Sequence, residues 1–151
     1  MTREVLIKIS GLQMMNESGE GDNIEVITTG DYFLKNGKHY IIYDEMMEGF
    51  DGNVRNTVKV TQDSLDIRKQ GITSAHMVFE QDRKNMTRYA TPMGDMLIEI
   101  STSEIQVEEE EDSLKICVQY SLDINYEHIS DCTIRMDVCS IDKAQLRLTQ
   151  K

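Results

Sequence analysis

Leu114-Lys115-Ile116-Cys117-Val118-Gln119-Tyr120-Ser121-Leu122-Asp123-Ile124 is the stretch on which the fold turns. Leu114, Ile116, Val118, Tyr120, Leu122 and Ile124 hold alternate positions, and Lys115, Gln119, Ser121 and Asp123 fall between them. A period of two puts the apolar set on one face of a pleated strand, and that face needs a core to cover it. On the C-terminal side, Cys132, Ile134, Met136 and Val138 repeat the pattern. On the N-terminal side, Met96, Ile98 and Ile100 alternate with Leu97, Glu99 and Ser101. Earlier still come Val5, Ile7 and Ile9, then Val54, Val58 and Val60, then Leu65 and Ile67, then Met77 and Phe79.

The punctuation between these runs is that of hairpins. Asn36-Gly37 stands between Tyr32-Phe33-Leu34 and His39-Tyr40-Ile41-Ile42-Tyr43. It supplies the two positive φ values of a type I′ turn, whose twist matches the strands it joins. Gln62-Asp63, Gln70-Gly71 and the stretch from Gln81 to Asn85 mark further turns, and Thr91-Pro92-Met93-Gly94 reads as a turn or as a strand start where the missing N–H does no harm. Gly30, inside the alternation of Ile24, Val26, Thr28 and Tyr32, marks a bulge or a bend where a sheet curls. Longer connections run through the polar stretch 16–22 and from Met46 to Gly52, and the tail from Lys143 to Thr149 reads as a last strand or a short helix. Short strands at this spacing with hairpin-length links predict an all-β, up-and-down antiparallel barrel of about 8–10 strands. The whole of residues 1–151 reads as one domain, with no repeat or linker. At this length a chain buries about 68–70% of its unfolded surface and needs no disulfide or structural metal.

Charge and cysteine narrow the function classes. The formal charge is −11, and both halves are acidic: 8 basic against 12 acidic residues up to Ala75, and 8 against 15 from His76 onward. No basic stripe is present to neutralise phosphates, which argues against nucleic acid and anionic membrane surfaces as partners. Three cysteines, Cys117, Cys132 and Cys139, form no paired framework and no CxxC, so free thiols are expected. The start Met1-Thr2-Arg3-Glu4 leads into a strand without an apolar leader, and no run approaches the length of a membrane helix. The cytoplasm is the expected compartment.

No catalytic, metal or cofactor motif stands out. Glu108-Glu109-Glu110-Glu111-Asp112 lacks EF-hand spacing and reads as a solvated turn that protects a hairpin tip from edge pairing. His39, His76 and His128 are scattered and read as surface or hairpin residues. Asp44 and Glu45 are adjacent on a strand and so point to opposite faces. Of ten methionines, Met14, Met77, Met86, Met96 and Met136 fall on apparent core positions, where methionine fills irregular gaps. The polar residues set among apolar strands are Tyr40, Tyr43, Glu45, Arg68, Tyr89 and Tyr120.

Several of these residues carry a resemblance. Ile67-Arg68-Lys69-Gln70-Gly71, Met77-Val78-Phe79, Tyr89-Ala90-Thr91-Pro92-Met93-Gly94 and Ile98-Glu99-Ile100-Ser101-Thr102, with the Tyr40 to Glu45 strand, resemble the YwiB-like proteins, a bacterial family of unknown function. The resemblance covers most of the chain and implies a calycin-like, lipocalin-type β-barrel. It implies no activity and no catalytic residue.

Two functional expectations follow. The first is a binding module for a small apolar or amphipathic ligand in the barrel lumen. Its candidate site residues are Tyr40, Glu45, Arg68, Tyr89 and Tyr120, with Arg68 clamping an anionic group and Glu45 holding Arg68 when the site is empty. Alternation opposes that clamp, since Arg68 sits opposite Ile67 in parity and Tyr40 opposite Glu45. The second is a protein-interaction or structural module that works through its acidic surface as a homodimer. An enzyme ranks last.

Overall fold

The computed structural model describes residues 1, 3–11, 25–46 and 52–141. Met14, the polar stretch 16–22, the centre of the Met46 to Gly52 connection and the 143–149 tail lie outside them. Every named element is a β-strand: β1 (Glu4–Ser10), β2 (Glu25–Lys35), β3 (Lys38–Met46), β4 (Asn53–Val60), β5 (Ser64–Gly71), β6 (Ala75–Glu80), β7 (Arg83–Thr91), β8 (Gly94–Glu110), β9 (Ser113–Ile124) and β10 (Glu127–Ser140). Among the described residues no helix is long and apolar enough to cross a membrane.

The strands form one antiparallel sheet in the order β6-β5-β4-β3-β2-β1-β10-β9-β8-β7. This is the up-and-down meander expected from the short links, rolled so that β1 pairs with β10. The two edge strands, β6 and β7, then face each other. They share no continuous ladder. Ser74 and Ala90 exchange both backbone hydrogen bonds, each 2.9 Å long, and Asn85 Nδ2 donates to the Val78 carbonyl at 3.2 Å. The result is a nearly closed barrel with one weak seam.

Alternation decides what the barrel contains. Ile41, Val58, Ile67 and Met77 lie in register across β3 to β6 and are buried, as are Val5, Ile7 and Ile9 of β1 and the six apolar positions of β9. Phe79 of β6 meets Tyr120 of β9 edge-on across the interior, ring centroids 5.0 Å apart. Met77 and Met136 are core residues as expected, and Met96 is partly buried against them. Met86 is not: half exposed, it points away from the apolar rows. The three cysteines are free thiols.

Asn36 and Gly37 have φ of 53° and 75°, as the hairpin reading required. Gly30 marks a corner. Residues 25–31 of β2 pair with β1, and residues 31–35 pair with β3. Among the described residues, no ladder joins residues 25–29 of β2 to residues 43–46 of β3.

The acidic run behaves differently from its reading as a turn. β8 continues as strand through Glu110, with Glu108 opposite Lys115, and only Glu111 and Asp112 turn. β8 bulges between Thr102 and Glu104, and beyond the bulge Glu109 reaches His39 of β3.

Candidate functional site

Two polar clusters lie at opposite ends of β3, whose inward positions run His39, Ile41, Tyr43, Glu45. Six residues of strand separate the clusters by about 20 Å.

The first cluster centres on Lys69, which is 1% exposed. On β5, alternation from Leu65 and Ile67 carries position 69 inward. Lys69 pairs with Asn56 of β4, which pairs with Tyr43 of β3, so the three side chains form one row across the inner wall. Glu45 sits one step nearer the end of the barrel. Lys69 Nζ donates to Glu45 Oε1 at 2.7 Å and to Asn56 Oδ1 at 2.8 Å, and Asn56 Nδ2 donates to Glu45 Oε1 at 3.2 Å. A buried ammonium loses several kcal/mol of hydration, so it persists only with a counter-ion and hydrogen bonds to hold it. Glu45 supplies the charge while staying 29% exposed.

Tyr89 of β7 and Thr73 of the β5–β6 link complete this end. Burial pushes the Tyr89 phenol up to about 12; the neighbouring Thr73 hydroxyl offsets part of this, and the Glu45 carboxylate adds to it. Tyr43 is raised further, by burial first and then by Glu45 and Tyr89. Both phenols therefore stay protonated under all ordinary conditions. Thr73 Oγ1 is buried and makes no hydrogen bond of normal geometry, although it lies close to Tyr89.

The second cluster is a chain of hydrogen bonds. Tyr32 Oη lies 2.6 Å from His39 Nδ1, and His39 Nε2 lies 2.5 Å from Glu109 Oε1. Burial, then the Glu109 charge, raises the Tyr32 phenol. A phenol that keeps its proton donates to Nδ1, which leaves Nε2–H to donate to Glu109. The chain ties the tip of β8–β9 to β2 and β3 across the end of the barrel.

The structure brings only some of the residues nominated from the sequence together. Glu45 and Tyr89 face the same interior end. Tyr120 faces inward at mid-barrel, against Phe79. Tyr40 is on the outer wall, where it lines a shallow apolar recess of about 460 Å³ with Phe33, Leu34, Lys35 and Ile42. Arg68 is also outside and exposed, between Thr57 and His76. The clamp idea fails for Arg68 because alternation cannot turn both Ile67 and Arg68 inward. Lys69 takes that place. Parity with Ile67 was the signal that pointed to it; the rarity of fully buried lysine hid it. His39, read as a surface or hairpin residue, stands beside the Asn36-Gly37 hairpin and is buried, and Glu109, exposed as the solvated reading expects, bonds to it.

Comparison with known proteins adds family and fold. Residues 7–136 match the family model described as a domain of unknown function, DUF1934. The chain belongs to the DUF1934 family. This DUF1934 chain is similar to the protein described as "Uncharacterized beta-barrel protein YwiB" of Bacillus subtilis (strain 168). The two are 26% identical over 136 residues, which cover 89% of this chain and 94% of that one. Among solved structures, the DUF1934 barrel superposes on the crystal structure of the ywiB protein from Bacillus subtilis with a TM-score of 0.74. That match is 22% identical and covers 93% and 94% of the two chains. At that identity the likeness shows the fold, an all-β barrel.

Proposed function

We propose that this protein is a non-enzymatic binding module of lipocalin type, which takes the polar end of a small amphipathic ligand at the Lys69 end of its barrel. The buried lysine carries the reading. A fully buried ammonium is a costly substitute for the leucine or methionine that would fill the same volume, and replacing a buried ion pair by packed apolar residues is often neutral or stabilising. A binding role gives the charge a use. The surroundings fit one: apolar walls, and a few polar groups gathered at one place. Met77 and Met96 lie near enough on β6 and β8 to adapt to an apolar chain.

Native mass spectrometry of the purified protein tests this. A retained small molecule is expected in the wild type and is lost in Lys69→Met. Saturating ligand at a hundred times Kd adds about 2.7 kcal/mol to stability. An unliganded mass, together with no thermal shift across a panel of amphipaths, overturns the proposal.

A further inference from the structure

Charge is segregated on the outside of this barrel. The wall formed by β8 to β10 turns Glu104, Glu108, Asp131 and Asp137 outward, against Lys115 and Arg135. The outer wall of β2 to β4 instead gathers cations around the shallow recess of about 460 Å³ lined by Phe33, Leu34, Lys35, Tyr40 and Ile42. Lys35 and Lys38 stand directly opposite each other at its hairpin end. Lys59 of β4 flanks Tyr40, and the Arg3 guanidinium lies 5.0 Å over the Phe33 ring. Among the described residues, Lys35, Lys38 and Lys59 form no ion pair, while Lys8, Arg55, Lys69, Lys84 and Arg88 each have one. Asp66, opposite Lys59, is bonded to His76 at 2.7 Å.

Two lysines facing each other across a ladder repel, and no carboxylate of the described residues offsets that cost. An exposed apolar patch rimmed by polar groups marks an interaction site, and a few large side chains seated in such a patch carry most of the binding energy. From this we infer that the wall docks an acidic segment of a partner protein. An aromatic or long aliphatic side chain of that segment fills the recess, and its carboxylates meet Lys35, Lys38 and Lys59. Asp31, opposite Ile42 and beside Glu4, sets the direction: it repels carboxylates at that end, so the acids of the segment lie towards the Asn36-Gly37 hairpin. Charge disfavours the other occupants. A two-fold contact with a second copy brings two sets of unpaired lysines together. A flat lipid surface meets the acids of this wall as well, namely Glu4, Asp31, Asp44 and Asp66. This surface is separate from the lumen, and the inference does not depend on the lumenal reading.

Short random peptides displayed on phage and selected on the purified full chain supply the probes. Enriched sequences are expected to combine Asp or Glu with Phe, Trp or Leu. In fluorescence anisotropy these peptides are expected to bind wild type and to weaken as salt is raised from about 0.05 M to about 0.5 M. The triple variant Lys35→Glu, Lys38→Glu, Lys59→Glu is expected to lose at least about tenfold in affinity. Its three positions are on the outer wall, and circular dichroism checks that it folds. Phe33→Ser leaves every charge in place and tests the recess separately, with a loss of at least about tenfold expected. No enriched peptide, enrichment without acids, or an affinity that either folded variant leaves unchanged overturns the inference. Phosphatidylglycerol vesicles that bind wild type and not the triple variant overturn it in favour of a lipid surface. A wild-type dimer in sedimentation that Phe33→Ser dissolves overturns it in favour of a second copy.

Discussion

At the scale of single residues, Tyr43 and Tyr89 report on the electrostatics of the interior. Both phenols titrate above their ordinary value of 10, Tyr89 at about 12, because burial penalises the phenolate and Glu45 adds a negative charge nearby. Between these limits the unfolded chain releases a proton that the folded chain keeps. The stability this difference contributes is complete below pH 10 and is lost as pH rises towards 12. For Tyr89 the loss amounts to roughly 2–3 kcal/mol. Urea unfolding at a series of alkaline pH values should show this decline in wild type and a shallower one in Tyr89→Phe, which has no proton to lose. Equal slopes would remove Tyr89 from the account. Lys69 teaches the complementary lesson. Its inward direction was legible from Ile67 two positions before it. Its burial was not, because burial depends on Glu45 and Asn56 arriving from two other strands.

At the scale of elements, turns and corners divide into those that announce themselves and those that do not. Asn36-Gly37 was read correctly because its chemistry specifies positive φ at both positions. Asn125 and Tyr126 adopt the same left-handed pair, with φ of 50° and 68°, and Asn125 Oδ1 accepts from the Leu97 amide at 3.0 Å. A tyrosine in that conformation gives no sequence signal. Gly30 reads as a bulge or a bend, and it lies where β2 changes partner. A Cβ placed there would lie 2.5 Å from the Ile42 carbonyl oxygen and 2.8 Å from Ile7 Cδ1. Backbone cannot give way as a side chain can, so the corner must open. Gly30→Ala is expected to cost about 1–3 kcal/mol, the usual range for forcing extra volume into a packed site. Chemical denaturation measures it, with Gly37→Ala as the comparison, where the Cβ meets nothing within 4 Å and only the φ of 75° is unfavourable. If Gly30→Ala is as stable as wild type, the corner is not set by this close approach. The acidic run is solvated and ends at a hairpin tip, as five acids signal, but Glu108 to Glu110 stay in the strand, with Glu108 opposite Lys115 and Glu109 bonded to His39.

At the scale of the whole molecule, a meander of sequential hairpins closes at β1–β10 and leaves its weak line between β6 and β7. There, one bridge and one side-chain hydrogen bond replace a ladder. β9 lies instead between two full ladders, to β8 and to β10. Regions with fewer backbone partners open at lower free energy. Hydrogen exchange of the native protein should therefore release the amides of β6 and β7 well before those of β9. Protection of β6 equal to that of β9 would mean that the seam is as strong as the rest of the wall. The Tyr32–His39–Glu109 chain acts at this scale too. It pins the curled β8–β9 tip to strands that are not its neighbours in the sheet.

The sequence by itself determined which residues face inward, where most strands turn, and that the product is an antiparallel barrel. Each of these is a local property, set by a period of two and by turn chemistry within a few residues. The same period opposed an inward Arg68, which only the structure places on the outer wall. Only the tertiary structure decided which inward polar residues meet. Glu45, Asn56, Lys69 and Tyr89 come from four strands, and His39 and Glu109 lie 70 residues apart. Their convergence depends on inter-strand register and on how far the sheet curls before it closes. Those are sums of many small twists and corners along the whole chain, and no local pattern records them.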